Sequence, residues 1–113
     1  REEIERREIK FTTKELKEMA AVNYRENRIF PAYNNLCQAM ILSPHDKSIA
    51  LSLLKVLVQI NKNEPLSDSQ HEMAMNAADM LSNSSLPANQ QQKCDEYLSA
   101  LSLNEAAVHA TPE

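Results

Sequence analysis

The thirteen residues at positions 48–60 are strongly apolar, and the rest of the fold has to cover them. Nine of the thirteen are apolar, and the four polar ones recur every three or four positions, at Ser48, Ser52, Lys55 and Gln59. This spacing places the polar side chains in one narrow stripe along a helix of 3.6 residues per turn. A strand would alternate with a period of two instead. The segment therefore predicts a central helix with packing partners on several sides.

The chain has no glycine among its 113 residues. Phosphate-binding loops, nucleophile elbows and dinucleotide-binding turns need glycine for positive φ or for close approach of the backbone. Tight β-hairpins also favour it. The absence of glycine removes most common enzyme scaffolds, and we expect an all-α protein that is not an enzyme.

Composition and charge narrow the classes of partner. Apolar residues make up 42% of the chain and charged residues 25%, as in soluble globular domains. The formal net charge of -4 provides no general attraction to nucleic acid or to anionic membranes. Cys37 and Cys94 have no motif spacing and lie in apolar helical patterns, which favours a reducing, cytoplasmic setting. Because the chain begins at Arg1 without a methionine, we interpret it as a fragment.

Prolines and polar clusters divide the chain into five predicted helices. Thr12 with Glu15, and Ser67 with Gln70, have the spacing of capping boxes. Asp46 is positioned to cap the central helix. The predicted helices cover about residues 13–26, from near Pro31 to the Ser43–Pro44 break, 47–60, 68–81 and 87–103.

The predicted domain organisation has three parts. Residues 1–11 are dense in charge and contain favourable i,i+4 pairs, which predicts a connector helix, with a solvated and frayed helix as the alternative. Residues 12–103 form the helical domain. Residues 104–113 are small and polar, which predicts a disordered tail.

The first predicted hairpin resembles the tetratricopeptide pattern. Its spacing is Leu16-x-x-Met19-Ala20-x-x-Asn23, then Ala32-x-x-x-Leu36 and a closing Pro44. The resemblance implies antiparallel hairpins stacked as a right-handed superhelix. Asn23 departs from the pattern, since the family prefers tyrosine there. The second hairpin also departs, because Pro87 follows Pro44 by 43 residues where the family repeats after about 34.

Residues 23–59 also resemble the C-terminal repeat region of some bacterial two-component response regulators. This resemblance implies a receiver domain upstream and a role in phosphorelay signalling. The predicted function is therefore a protein–protein interaction module that serves as an output or adaptor region, with a signalling protein as the implied partner.

The resemblance also implies where a partner would bind. In tetratricopeptide-like stacks the first helix of each hairpin lines the concave groove, which here means the first and third helices. The predicted partner-binding residues are accordingly Asn23, Asn27, Ser48, Ser52, Lys55 and Gln59. The alternative is that the polar stripe only hydrates the exposed side of the central helix.

Other activities find little support in the sequence. His45, His71 and His109 are not grouped with one another or with a cysteine at ligand spacing, so we expect no metal, no cofactor and no catalytic residues. The best enzyme alternative is a pocket containing His71 and Glu72. Binding to RNA is a further alternative, disfavoured by the acidic net charge and the lack of a basic stripe with aromatics. No membrane or small-molecule partner is expected.

The open end of a two-hairpin stack suggests self-association. The first two helices have more apolar residues than one neighbour can bury, including Phe30 and Tyr33. We expect a weak homodimer or scaffold contact through this hairpin, or its coverage by an upstream domain.

Overall fold

The structure, a computed structural model, describes residues 9–101, and within that range it contains five α-helices and no strand. This confirms the all-α fold. The predicted tail lies outside the described residues, as does most of the predicted connector. The helices are α1 (Thr13–Arg25), α2 (Ile29–Leu42), α3 (Lys47–Asn63), α4 (Asp68–Ser82) and α5 (Ala88–Ala100).

Side-chain caps start three of these helices where the sequence predicts them. At α1 the Thr12 hydroxyl accepts from the backbone N–H of Glu15, and the Glu15 carboxylate accepts from the N–H of Thr12. Ser67 and Gln70 form the same reciprocal pair at α4. The Asp46 carboxylate accepts from the N–H groups of Ser48 and Ile49 at α3. Each cap satisfies donors that a helix leaves without an internal partner.

The turn between α1 and α2 is a Schellman motif that uses asparagine in place of glycine. Asn27 has a φ of 65°, in the left-handed region. The N–H of Arg28 donates to the carbonyl of Asn23, and the N–H of Asn27 donates to the carbonyl of Tyr24. Asparagine tolerates this conformation better than most residues, so a chain without glycine can still make this tight turn.

Helix α2 begins two residues before Pro31, which is therefore its third residue rather than its first. Proline is compatible with this position because the N–H groups of the first turn have no acceptor within the helix. No side chain caps this end of α2.

Helix α3 is the centre of the core. It packs against α2, α4 and α5, and seven of its residues are buried, as the apolar segment predicts. Helix α1 packs along α2. The fully buried Ala32 and Ala39 of α2 allow the neighbouring helices to approach closely. None of the helices between residues 9 and 101 combines the length and apolarity needed to cross a bilayer.

Candidate binding cleft between the first and third helices

A cleft of about 340 Å³ lies between α1 and α3. Its floor includes apolar side chains, among them Ala20, Leu36 and Val56. Its polar lining comes from both helices. The lining polar residues are Lys17, Tyr24 and Arg25 on α1, and Ser48, Ser52 and Lys55 on α3.

Two cross-helix contacts fix how α1 and α3 lie beside each other. Near the start of α1, the Lys17 ammonium is 3.1 Å from a carboxylate oxygen of Asp46, the N-cap of α3. Near the end of α1, Lys55 Nζ lies 4.5 Å from the centre of the Tyr24 ring. Residue numbers increase together along both helices, so α1 and α3 run parallel and the cleft follows their length.

The cleft is positively charged although the chain as a whole is acidic. Its lining includes three cations, Lys17, Arg25 and Lys55, and no carboxylate. Asp46, just outside the lining, neutralises Lys17. Arg25 forms no ion pair with any residue in the described range 9–101. The cleft therefore presents cationic charge that the surrounding residues only partly balance.

The charge state of Asp46 reflects this contact. Partial burial by itself raises the pKa of this carboxyl. Hydrogen bonds from Ser48, together with the hydrogen bond and the positive charge of Lys17, outweigh that effect and hold the pKa below its ordinary value of 3.8. Asp46 is thus ionised wherever the protein is near neutral pH, and it keeps both the helix cap and the contact with Lys17.

Tyr24 lines the cleft, and Tyr97 of α5 lies near Tyr24. Burial raises the pKa of Tyr24, so its hydroxyl stays protonated and can donate a hydrogen bond. Burial also raises the pKa of Tyr97 on α5, and the nearby Tyr24 and Glu96 raise it further. The cation–π contact holds Lys55 over the face of Tyr24, at the edge of the cleft.

Three of the six predicted partner-binding residues meet in this cleft. Ser48, Ser52 and Lys55 line it together. Gln59 shares their stripe on α3 but does not line the cleft. Since Lys55 already faces Tyr24, one turn further along α3 takes Gln59 past Arg25, where α1 ends. No wall of α1 lies opposite it.

The other two predicted residues lie elsewhere. The Asn23 amide donates to Oδ1 of the buried Asn35 at 2.7 Å, and its own Oδ1 accepts from Nε of Arg28 at 3.1 Å. Asn23 thus links α1 to α2. Asn27 is exposed in the turn after α1, where its backbone conformation is its main structural contribution.

The residues predicted to self-associate have different environments. Phe30, near the start of α2, is 52% exposed. Tyr33 is half-buried and packs against the hydrophobic core.

The sequence reasoning missed the α1 side of the cleft. Lys17, Ala21 and Arg25 follow one another at intervals of four, a spacing that places them on one face of a helix. This spacing can be recognised in the sequence. It forms one side of a cleft only because α3 lies opposite, and only the tertiary structure shows that.

The histidines have no comparable surroundings. His71 and Glu72 are exposed beside a shallow depression formed by α4 alone, so no second wall encloses them. His45 lies exposed in the turn before α3. Among residues 9–101, no three His, Cys, Asp or Glu side chains are close enough together to bind a metal ion. His109 lies outside the described range.

Comparison of the chain with protein-family models, with curated proteins and with solved structures gives no match.

Proposed function

We propose that this domain is a protein–protein interaction module that binds an acidic segment of a partner protein in the α1–α3 cleft. The observation that supports the proposal is the lining itself: three cations and two serine hydroxyls surround an apolar floor, with no carboxylate among them. Carboxylates are the complementary ligands for such a site, because lysine and arginine form charge-assisted hydrogen bonds with them.

The dimensions of the cleft favour a short peptide segment over a folded surface. Its volume of about 340 Å³ is at the lower end of the range for ligand pockets, roughly 300–1,000 Å³. From Ser48 to Lys55 the cleft follows α3 for about 10 Å, at 1.5 Å per residue. An extended peptide covers this distance with about three residues. Two carboxylates in that span could contact Lys55 and Arg25 at one end and Lys17 near the other.

The stacked-hairpin arrangement belongs to the same proposal. The parallel alignment of α1 with α3, each followed by an antiparallel partner, supports a tetratricopeptide-like stack in which the first helices line the binding surface. The resemblance of residues 23–59 to response-regulator repeats supports a place as the output region of a bacterial, cytoplasmic signalling protein. Sequencing the gene upstream of the codon for Arg1 tests this assignment to a signalling protein. A receiver domain encoded there supports the assignment, and an unrelated domain contradicts it.

Fluorescence anisotropy with two labelled decapeptides tests the cleft. One alternates glutamate with serine, and the control peptide has glutamine at every glutamate position. We expect the acidic peptide to bind with an affinity that falls as salt rises, and the glutamine peptide to bind much more weakly.

Matched substitutions on one helix locate the site. Lys55→Met keeps the aliphatic stem and removes the charge, and should weaken acidic-peptide binding about fivefold, corresponding to roughly 1 kcal/mol for a partly exposed ion pair. Lys62→Met removes the same charge from the exposed last turn of α3, outside the cleft, and should leave the affinity unchanged. Equal losses in the two variants would mean that the peptide responds only to overall charge, and would refute the site.

A further inference from the structure

A second groove lies on the opposite side of α1 from the basic cleft. Its apolar lining consists of Phe11, Met19 and Val22. Phe11 is 47% exposed and Val22 38% exposed, while Met19 is half-buried and packs against the core. Large apolar side chains grouped on a surface mark interaction sites more often than isolated ones do.

The rim of this groove has the opposite charge to the cleft. Glu15 and Glu18 line it, and no cation does. Glu15 also takes part in the α1 capping box, where its carboxylate accepts from the backbone N–H of Thr12. Glu18 is exposed and forms no ion pair with any residue between positions 9 and 101. Helix α1 therefore separates the basic lining of the cleft from the carboxylates of this groove, and Glu18 also lines a shallow depression with Lys14 and Lys17.

The geometry of α1 explains this separation. Lys17, Ala21 and Tyr24 lie on one side of the buried residues Leu16 and Ala20. At 100° per residue, Glu15 and Val22 fall on the other side of that buried stripe, and Glu18 lies directly opposite the stripe, on the exposed face. Because α1 packs on the core through a narrow face, the rest of its surface can form two binding surfaces of different charge.

We infer that this groove binds an amphipathic helix whose apolar face is bordered by lysine or arginine. The occupant follows from the charges: Glu15 and Glu18 lie among the apolar side chains, between Phe11 and Val22, and they complement cations placed beside the apolar face of a partner helix. Met19 is suited to the centre of such a contact because its flexible thioether adapts to different side chains. The thirteen residues of α1 extend about 20 Å, which a partner helix of similar length would match.

A second copy of this chain fits the groove less well. A twofold contact places the same patch on both sides. Glu15 and Glu18 of one copy would then face the same carboxylates of the other, and like charges in close contact oppose association. The groove therefore favours a basic partner over a symmetric homodimer.

The test uses a labelled fourteen-residue helical peptide of leucine and lysine, with leucines at i, i+3, i+4 and i+7, and a matched peptide with glutamate in place of each lysine. We expect the lysine peptide to bind and to shift the amide NMR signals of Phe11, Met19 and Val22. The glutamate peptide can bind the basic cleft instead, so it should leave the signals of Phe11, Met19 and Val22 unshifted. If the lysine peptide does not bind, or shifts only signals of other surfaces, the inference is overturned.

Four variants distinguish binding in this groove from nonspecific binding elsewhere on the surface. Each variant is first checked by circular dichroism for unchanged helical content. Glu18→Lys and Val22→Gln should each weaken binding of the lysine peptide about fivefold or more. Helix α4 provides the controls, since Glu72 and the 50%-exposed Met75 lie beside the depression on its surface. Glu72→Lys and Met75→Gln should change the affinity less than twofold. Equal effects on both helices, or a concentration-dependent dimer that Val22→Gln abolishes, would overturn the inference.

Discussion

The link between Asn23 and Asn35 leads to a prediction that separates structural from binding roles. Asn35 is only 9% exposed, and its Oδ1 accepts from the Asn23 amide at 2.7 Å. Asn23→Ala removes this donor. We expect the variant to be less stable than the wild type while its affinity for an acidic peptide stays the same, because Asn23 lies outside the cleft.

The magnitude follows from the burial of the acceptor. Leaving a buried acceptor without a partner costs about 1–3 kcal/mol. The exposed hydrogen bond from Arg28 to Asn23 contributes little. Alanine's greater helix propensity offsets up to about 0.7 kcal/mol of the loss. The net destabilisation should therefore be at least about 0.3 kcal/mol and up to about 2.3 kcal/mol with the full offset, and each kcal/mol lowers the Tm of a domain of this size by about 4–8 °C.

Urea denaturation followed by circular dichroism at 222 nm measures the change in the free energy of unfolding. Asn34→Ala is the matched control, because Asn34 is an exposed neighbour of Asn35 on α2. It should be neutral or slightly stabilising. In a double-mutant cycle, Asn23→Ala and Asn35→Ala should show a coupling energy of at least about 0.5 kcal/mol. Equal stabilities of Asn23→Ala and Asn34→Ala would refute the reasoning, and a loss of peptide affinity in Asn23→Ala would restore Asn23 to the binding site.

Three further predictions concern the core, the first turn and the helix cap. Leu57→Ala, at a fully buried position of α3, should lower the free energy of unfolding by about 3–5 kcal/mol in urea titrations, and a loss below 1 kcal/mol would contradict the central position of α3. Asn27→Val should lower the free energy of unfolding by about 1–2 kcal/mol because a β-branched residue resists positive φ, whereas Asn27→Gly should stay within about 0.5 kcal/mol in thermal unfolding. Because the pKa of Asp46 is depressed in the folded state, its stabilising contribution is present above its ordinary value of 3.8 and is lost as pH falls through the folded-state pKa. Asp46→Asn keeps a capping residue without this titration, so urea midpoints measured from pH 7 to pH 2.5 should fall less steeply in the variant, and identical slopes would show that Asp46 does not contribute.

Local patterns in the sequence were sufficient to predict the helices and most of their ends. The capping boxes of Thr12 and Ser67 and the cap at Asp46 depend on residues three or fewer positions apart, so their chemistry is visible in the sequence. The apolar run at 48–60 likewise predicted the buried central helix, because a side chain's position on a helix follows from its number. The start of α2 was less accurate, since proline favours the first helical position but is also compatible with the other positions of the first turn, and here it is the third residue.

The binding surfaces depend on contacts between helices that are distant in the sequence. Gln59 belongs to the same stripe as Ser48 and Ser52, yet the stripe becomes a cleft only where α1 lies opposite, and α1 ends too early to reach Gln59. Asn23 is polar, as a binding residue would be, but its side-chain amide donates a hydrogen bond to Asn35 on the next helix. The sequence by itself determined which residues are helical and which faces are apolar, because those properties are periodic along one chain. Only the tertiary structure decided which polar residues face a partner and which face each other, because that choice depends on the register and length of the neighbouring helix.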